Sequence, residues 1–238
     1  MIIKKMVVED FMSFYGRNVL SLERGLNFVV GSNGSGKTNL VRAFCFAVAR
    51  HTVGPYLVPL NQLINRKRRD ETPSPSCRVE VEIEDGGRNW HAQSSLSLVG
   101  ERVIQSSALD LGLDETAISG KLKRIVIDSE IAMYKLGESM MNWSASARSD
   151  YIIRRQLDLN LKAGIKMAIL DGALAYLESY CRHKILKLMT ELPMEQVTIM
   201  VNMLPDNAED YPCTIHQIEH DSGDGSSRIA DRVRGRIK

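Results

Sequence analysis

The chain has 238 residues, 44% of them hydrophobic, which is enough to bury a substantial core. The 31 Lys and Arg residues nearly balance the 29 Asp and Glu residues, so attraction to nucleic acid would have to come from local patches and not from net charge. No apolar run approaches the roughly 18 residues that a membrane-spanning helix needs, and the four cysteines form no CxxC pair, which favours a cytoplasmic protein without a membrane role.

Three apolar segments at the start of the chain are predicted strands. They cover residues 2–8, 19–22 and 26–30, and the third is a continuous apolar run that ends at a glycine. The segment 39–50 is apolar almost all round, which is typical of a helix buried inside a domain. The predicted order is therefore strand, glycine-rich loop and buried helix.

The loop between this strand and this helix carries a phosphate-binding motif. Its sequence is Gly31-Ser32-Asn33-Gly34-Ser35-Gly36-Lys37-Thr38, which fits the pattern G-x-x-x-x-G-K-[ST]. Glycines let backbone N–H groups approach phosphate oxygens, Lys37 would reach the β- and γ-phosphates, and Thr38 would put its hydroxyl on Mg²⁺. The motif predicts ATP with Mg²⁺ as the ligand. The expected nucleotide contacts are Asn33, Gly34, Ser35, Gly36, Lys37, Thr38 and Asn39.

A basic cluster and a β-hairpin follow the predicted helix. The basic cluster consists of Arg66, Lys67, Arg68 and Arg69. These cations could contact DNA phosphates, or they could form a solvated surface. Further on, apolar residues alternate with glutamates over 79–84 and a turn at 85–87 precedes 88–93, which predicts a hairpin, with one more strand at 102–105.

The segment 123–128 is predicted to be an apolar strand that ends in Asp128. Ligands of open α/β sheets bind at the carboxyl ends of strands, so Asp128 is a candidate to hold Mg²⁺ opposite Thr38 or to act near the γ-phosphate. An ordinary solvated acid is the alternative. Glu130 is a further candidate, for positioning water. The candidate catalytic residues are Lys37, Asp128 and Glu130.

The rest of the chain is predicted to be mainly helical before two more strands. An apolar stripe at steps of three or four residues predicts one helix that ends by Pro193. Its members are Leu170, Leu174, Leu177, Cys181, Ile185 and Leu188. Strands are predicted at 196–203 and 213–218, and a Gly/Ser-rich stretch leads into a basic tail. We therefore expect a nucleotide-binding lobe at 1–192, an extension at 193–222 and a tail at 223–238.

The segment 1–16, together with the run from Leu26 through the phosphate loop to Leu40, resembles the N-terminal lobe of SMC/RecF-type ABC ATPases. The likeness is specific over residues 1–50. The segment 61–66 and the hairpin at 79–93 are similar to the part of these heads that follows the phosphate-loop helix. The segment 125–130 is similar to the Q-loop region of the DndD-like branch.

This resemblance implies an α/β fold, a P-loop NTPase of ABC/SMC head type with a mixed sheet, an antiparallel β subdomain and helices after them. It also implies that two heads sandwich ATP, one giving the phosphate loop and the other a signature motif of LSGG type. The second head could be another copy of the chain or a protein partner. The chain departs from the family pattern, because neither an LSGG-like motif nor a later strand ending in Asp-Glu is evident, and 117–120 (Ala-Ile-Ser-Gly) is a poor substitute.

The function that the resemblance implies is an ATP-binding lobe acting on DNA in repair, maintenance or defence, in a cytoplasmic protein that could associate with the nucleoid. Hydrolysis would need a partner or a C-terminal half that carries the missing motifs. Two alternatives stay open at this point. One is an ATP-binding switch without turnover, and the other is a self-contained P-loop kinase or NTPase that uses Asp128.

Overall fold

The structure is a computed structural model that describes residues 1–49, 58–71, 75–110, 124–128, 142–206 and 208–230. Its strands are β1 (Ile2–Glu9), β2 (Arg17–Ser21), β3 (Gly25–Val30), β4 (Ser76–Asp85), β5 (Arg88–Val99), β6 (Arg102–Asp110), β7 (Val126–Asp128), β8 (Met167–Asp171), β9 (Gln196–Val201), β10 (Cys213–His220) and β11 (Ser227–Ile229). Its α-helices are α1 (Lys37–Ala49), α2 (Arg66–Glu71), α3 (Ala145–Lys162) and α4 (Ser179–Glu191). Short 3₁₀ turns cover Leu60–Gln62 and Ala208–Asp210.

Five strands form an antiparallel sheet in the order β2-β1-β4-β5-β6. The predicted hairpin is confirmed, because β4 pairs with β5 from Ser76 opposite Ser97 to Asp85 opposite Arg88. The two residues between the strands, Gly86 and Gly87, have φ values of 58° and 78°. Two consecutive positive φ angles are what a two-residue hairpin turn of type I′ requires, and glycine adopts them without steric cost.

Six strands form a mixed sheet in the order β11-β10-β3-β9-β8-β7. All neighbouring pairs from β10 to β7 are parallel, and only β11 runs antiparallel to its neighbour. The carboxyl ends of β3, β9, β8 and β7 therefore lie at one edge of the sheet, where open parallel sheets bind their ligands. The segment 193–222, expected as an extension, contributes β9 and β10, which flank β3 on both sides.

Helix α1 lies between the two sheets. It contacts β1, β4 and β5 of the antiparallel sheet as well as β8 and β9 of the mixed sheet. Its residues from Leu40 to Val48 are buried except Arg42, as the all-round apolar sequence predicts. Helices α3 and α4 cover the opposite face of the mixed sheet, where Phe28 of β3 and Leu157 of α3 belong to one buried cluster. The predicted α/β architecture with an antiparallel β subdomain is confirmed.

The helix predicted to begin at Leu170 is wrong in its first half. Leu170 lies in strand β8, Leu174 and Leu177 lie in a turn segment, and α4 begins only at Ser179. The physical reason is Gly172, whose φ of 64° ends the strand in a conformation that a right-handed α-helix does not contain. All five residues of β8 are buried, so β8 behaves as an interior strand of a parallel sheet and not as one face of a helix.

Among the described residues, no helix is both long enough and apolar enough to cross a membrane.

Candidate nucleotide-binding site

The phosphate loop begins at Gly31, directly after β3, and is packed too closely for a side chain at that position. A Cβ on Gly31 would lie 2.4 Å from the hydroxyl oxygen of Ser35 and 2.8 Å from the carbonyl oxygen of Ile218. The Gly31 N–H also donates to the carbonyl oxygen of Val201 at 3.2 Å, which ties the loop to the end of β9. The loop conformation is therefore held by the two strands that flank β3.

Gly36 is constrained in a second way. Its φ is 103°, and a Cβ there would lie 2.7 Å from the hydroxyl oxygen of Ser13 and 2.8 Å from that of Ser227. Ser227 lies in β11, and the backbone N–H of Ser227 donates to the carbonyl oxygen of Ser13 at 2.7 Å. The glycine pattern thus leaves a backbone cradle that any side chain would fill, which is the form a phosphate-binding loop takes.

Lys37 is the first residue of α1, and its ammonium group spans the loop. It donates to the carbonyl oxygens of Gly31 at 2.7 Å and Ser32 at 2.8 Å. Burial lowers the pKa of Lys37 below its usual value, while the charge of Asp171 acts in the opposite direction. Asp171, the last residue of β8, is therefore close enough to stabilise the charged lysine.

A cavity of about 820 Å³ lies at the carboxyl edge of the mixed sheet, between the phosphate loop and the ends of β8 and β9. The loop wall of this cavity is formed by Asn33, Gly34, Gly36, Lys37, Thr38, Asn39 and Arg42. The opposite wall includes Asp171, Gly172, Leu174, Ala175 and Arg182, and the residues from Met200 to Asp206 complete it. Its volume lies within the range of about 300–1,000 Å³ found for small-molecule sites.

Most of the sequence-predicted loop residues line this cavity, and Ser35 does not. Ser35 is fully buried under the loop, with its hydroxyl close to Gly31. Asn39 faces the cavity but also donates to the hydroxyl of Ser13 at 2.8 Å. Six of the seven predicted residues therefore line one cavity, whereas Ser35 packs beneath the loop, and their contact with a nucleotide stays a prediction.

The strand-end acid that lines the cavity is Asp171, which was not among the residues predicted from the sequence. The predicted acid, Asp128, ends β7 and is the register partner of Asp171 one strand farther from β3. Glu130 lies outside the described residues. Asp171 could have been found from the apolar run Met167 to Leu170 followed by Asp-Gly, a signal that the coincidental helical spacing of Leu170 with later leucines concealed.

The donor set around the cavity fits a magnesium nucleotide. The Thr38 hydroxyl and the carboxylates of Asp171 and Asp206 are oxygen ligands, the type that Mg²⁺ prefers. The cradle around Gly36 and the cation of Lys37 suit phosphate oxygens. No group of three His, Cys, Asp or Glu side chains in the described part of the chain forms a metal site by itself. Any Mg²⁺ held here would depend on phosphate oxygens as well as on the protein.

The basic cluster lies in helix α2, and at least two of its four cations lie near carboxylates of the same chain. The Nε atom of Arg68 lies 3.3 Å from a carboxylate oxygen of Asp10. The ammonium of Lys67 lies 3.9 Å from Asp224 and 4.3 Å from the centre of the Tyr15 ring. DNA contact by this cluster stays a prediction. The tail beyond residue 230 and the segment 117–120 lie outside the described residues.

A family match covers residues 2–156 and carries the description RecF/RecN/SMC N terminal domain. The chain belongs to this family. Structural maintenance of chromosomes protein 1B of Mus musculus is 31% identical over 83 residues, which is 34% of this chain and 7% of that protein. DNA replication and repair protein RecF of Acidothermus cellulolyticus is 50% identical over 46 residues, which is 19% of this chain and 12% of that protein. The chain thus spans a small part of either relative.

The fold of this SMC/RecF-family chain is that of an SMC head. It is similar to the SmcHead in a crystal structure with the C-winged helix domain of ScpA, with a TM-score of 0.75 at 11% identity over 99% of both chains. It is also similar to the SMC head domain from Thermotoga maritima, with a TM-score of 0.62 at 17% identity over 98% of this chain and 100% of that one. At these identities the likeness concerns the fold alone, and it confirms the predicted fold class.

Proposed function

We propose that this SMC/RecF-family chain binds ATP with Mg²⁺ and acts as the nucleotide-binding head of a DNA-associated ATPase. The observation that carries this proposal is that Lys37, Thr38 and Asp171 line one cavity, although they come from two distant parts of the sequence. A cation, a hydroxyl and a carboxylate around a glycine cradle are the groups that a P-loop enzyme uses for phosphates and metal.

Thr38 and Asp171 are the residues that would hold Mg²⁺ or its waters. Magnesium supplies charge neutralisation to the β- and γ-phosphates. Asp171 takes this role in preference to Asp128, because Asp171 lines the cavity with Thr38 while Asp128 ends the next strand outward. Asp171 is only 9% exposed, and a charge with so little access to water gains most from a bound cation.

Hydrolysis would need a second surface, from another copy of the chain or from a protein partner. Helix α3 offers a candidate for the part that a signature motif plays in this family. It begins at the N-cap Ser144, whose hydroxyl accepts from the Ala147 N–H at 3.1 Å. Ala145 and Ser146 follow, where an LSGG motif has glycines. The N–H groups at the start of this helix would complement the phosphates of ATP held on the opposite head.

ATP binding tests this function directly. Lys37→Ala removes the cation from the loop, so we expect affinity for Mg²⁺–ATP to fall by at least about tenfold, the size of a lost charged hydrogen bond. Lys162→Ala is the matched control, since that lysine is exposed and pairs with Asp158. Calorimetric titration gives both affinities. Equal affinity in the wild type and the Lys37 variant, or no binding by the wild type, would contradict the proposal.

A second candidate, an ATP-binding switch without turnover, is favoured by the residue after Asp171. That residue is Gly172, which has no side chain to act as a base, where the family pattern has glutamate. In such a switch, ATP binding would assemble two heads and its release would separate them. The two candidates share the binding site and differ only in whether the bound ATP is hydrolysed at an enzymatic rate.

The proposed action on DNA rests on the family and on the basic cluster at residues 66–69. If these cations contact phosphates, DNA binding should be sequence-independent and should weaken as salt rises, with a slope of log affinity against log salt near −0.9 per neutralised phosphate. Replacing all four with glutamate should then flatten that slope and leave ATP affinity unchanged. Charge reversal of Lys162 and Lys187, which pair with Asp158 and Glu191, is the control. An unchanged slope in the cluster variant would remove these residues from the DNA contact.

A further inference from the structure

Two arginines that no motif predicts line the same cavity as the phosphate loop. They are Arg42 of α1 and Arg182 of α4. Arg42 donates from Nη1 to the side-chain oxygen of Asn39 at 2.8 Å, and Arg182 donates from Nη2 to the carbonyl oxygen of Leu177 at 3.0 Å. Both partners are neutral. Among the described residues, neither guanidinium has a carboxylate within salt-bridge distance, so both are available to an anionic ligand in the cavity.

The Nε–H groups of both arginines are also without a hydrogen-bond partner among the described residues, although both atoms are buried. A buried donor of a charged group is destabilising when it has no hydrogen-bond partner. Oxygen atoms of a ligand in the cavity would supply acceptors for these two guanidinium groups. A guanidinium has five N–H donors in a planar fork, which matches the oxygens of a phosphate.

The fold directs these arginines toward the cavity from opposite walls. Arg42 follows Thr38 by one helical turn, and helical side chains lean toward the N-terminus, so the guanidinium leans toward the phosphate loop. Arg182 lies in the first turn of α4, and its bond to Leu177 holds it against the turn that follows Asp171. A ligand between the walls would therefore meet one guanidinium from each side.

The charges around the cavity suit a highly anionic ligand. Its cations are Lys37, Arg42 and Arg182, and its acids are Asp171 and Asp206. With Asp171 facing Mg²⁺, the cations are left for the phosphates. Lys37 reaches the β- and γ-oxygens in a P-loop. The two arginines are not part of that motif, and the group that ATP has and ADP lacks is the terminal phosphate.

We propose that Arg42 and Arg182 bind the terminal phosphate of ATP from opposite walls of the cavity, so that a single head distinguishes ATP from ADP without a partner. This inference rests on the proposed ATP-binding function. It adds a selectivity that the phosphate loop alone does not supply, because the loop contacts the phosphates that ATP and ADP share as well as the one that differs. The chain would then enter its ATP-bound state before it meets a second head.

The test measures the affinities for ATP and for ADP, each with Mg²⁺, by calorimetry on the monomeric wild type and on four variants. Arg42→Gln, Arg182→Gln and the double variant keep a side chain that can still bond Asn39 or Leu177 but remove the charge. Arg88→Gln, at an exposed position beside the β4–β5 turn, is the matched control. Thermal unfolding midpoints verify that each variant is folded.

We expect each cavity variant to lose about tenfold or more in ATP affinity, the size of a lost charged hydrogen bond, while ADP affinity changes by less than about twofold. If the glutamine variants do not fold, the double variant Arg42→Lys with Arg182→Lys replaces them. It keeps both charges but lacks the planar guanidinium groups, so it should lower the ratio of ATP to ADP affinity by less than the factor expected for the glutamine variants. Equal losses for both nucleotides, or no loss for either, would overturn the inference and leave ATP binding standing. Failure of the wild type to bind either nucleotide would overturn the proposed function together with the inference.

Discussion

The two walls of the nucleotide cavity are built in different ways. The loop wall is one contiguous segment from Asn33 to Arg42, and its shape is set by local backbone conformation and by close packing at Gly31 and Gly36. The opposite wall is assembled from the end of β8, the start of α4 and the segment after β9. The first wall is a property of a short sequence, while the second exists only because the sheet order brings distant strand ends together.

This difference explains what could be predicted from the sequence. The loop wall, the hairpin and the α/β class follow from spacing, turn residues and periodicity, which are local signals. Asp171 was not predicted as a site residue because the spacing of Leu170 is ambiguous. Leu170 lies three residues before Ala173 and four before Leu174, which fits an apolar stripe on a helix as well as it fits a strand. Short apolar runs are ambiguous in this way, and only the pairing of β8 with β9 decides between the two.

Arg182 could not be predicted for a stronger reason. Its sequence neighbourhood is that of an ordinary helix start, and its role at the cavity depends on the turn between Asp171 and Ser179. Arg42 lies five residues after Lys37, close enough to be suspected, but a positive charge on a helix is most often solvated. Nonlocal assembly, and not weak motifs, limits what the sequence indicates about this site.

The largest expected effect tests whether the loop wall is set by close packing. Gly36→Ala should cost about 2–5 kcal/mol of unfolding free energy, because a Cβ there meets two hydroxyl oxygens and the backbone has φ of 103°. Gly34→Ala is the control, since its φ is 79° but nothing lies within 4 Å of the added Cβ. Its cost should be about 1–2 kcal/mol. Denaturant unfolding measures both, and equal costs would mean that packing around Gly36 does not constrain the loop.

A somewhat smaller effect tests which acid, Asp171 or Asp128, interacts with Mg²⁺. Asp171→Asn keeps the shape of the side chain but removes its charge, so the gain in ATP affinity on adding Mg²⁺ should shrink by about tenfold or more. Asp128→Asn should leave that gain within about twofold, because Asp128 ends the strand one position farther out. Titrating ATP with and without Mg²⁺ gives the gain for each variant. Loss of the gain in the Asp128 variant alone would return the metal role to that residue.

The smallest expected effect is on the rate of ATP hydrolysis. It depends on Gly172, which has no side chain, on the wall opposite the phosphate loop. Because Gly172 follows Asp171, the position where the family pattern has glutamate carries no carboxylate to accept a proton from water, and the isolated chain should hydrolyse ATP at well below about 1 per second, the low end of ordinary enzymes. Gly172→Glu tests the cause. A Cβ at Gly172 meets no atom within 4 Å, so the first side-chain atom fits without a clash, although the φ of 64° adds about 1–2 kcal/mol of strain.

Gly172→Gln has the same size and the same strain without the carboxylate, so any difference in rate between the two variants reports the base itself. If the missing base limits hydrolysis, the glutamate variant should exceed the glutamine variant in phosphate release, most clearly at protein concentrations where two heads can meet. Identical low rates would mean that the absent partner surface, and not Gly172, holds turnover down. A wild-type rate of several per second from a verified monomer would contradict both explanations, since neither a base at Gly172 nor a second head would then be needed for hydrolysis.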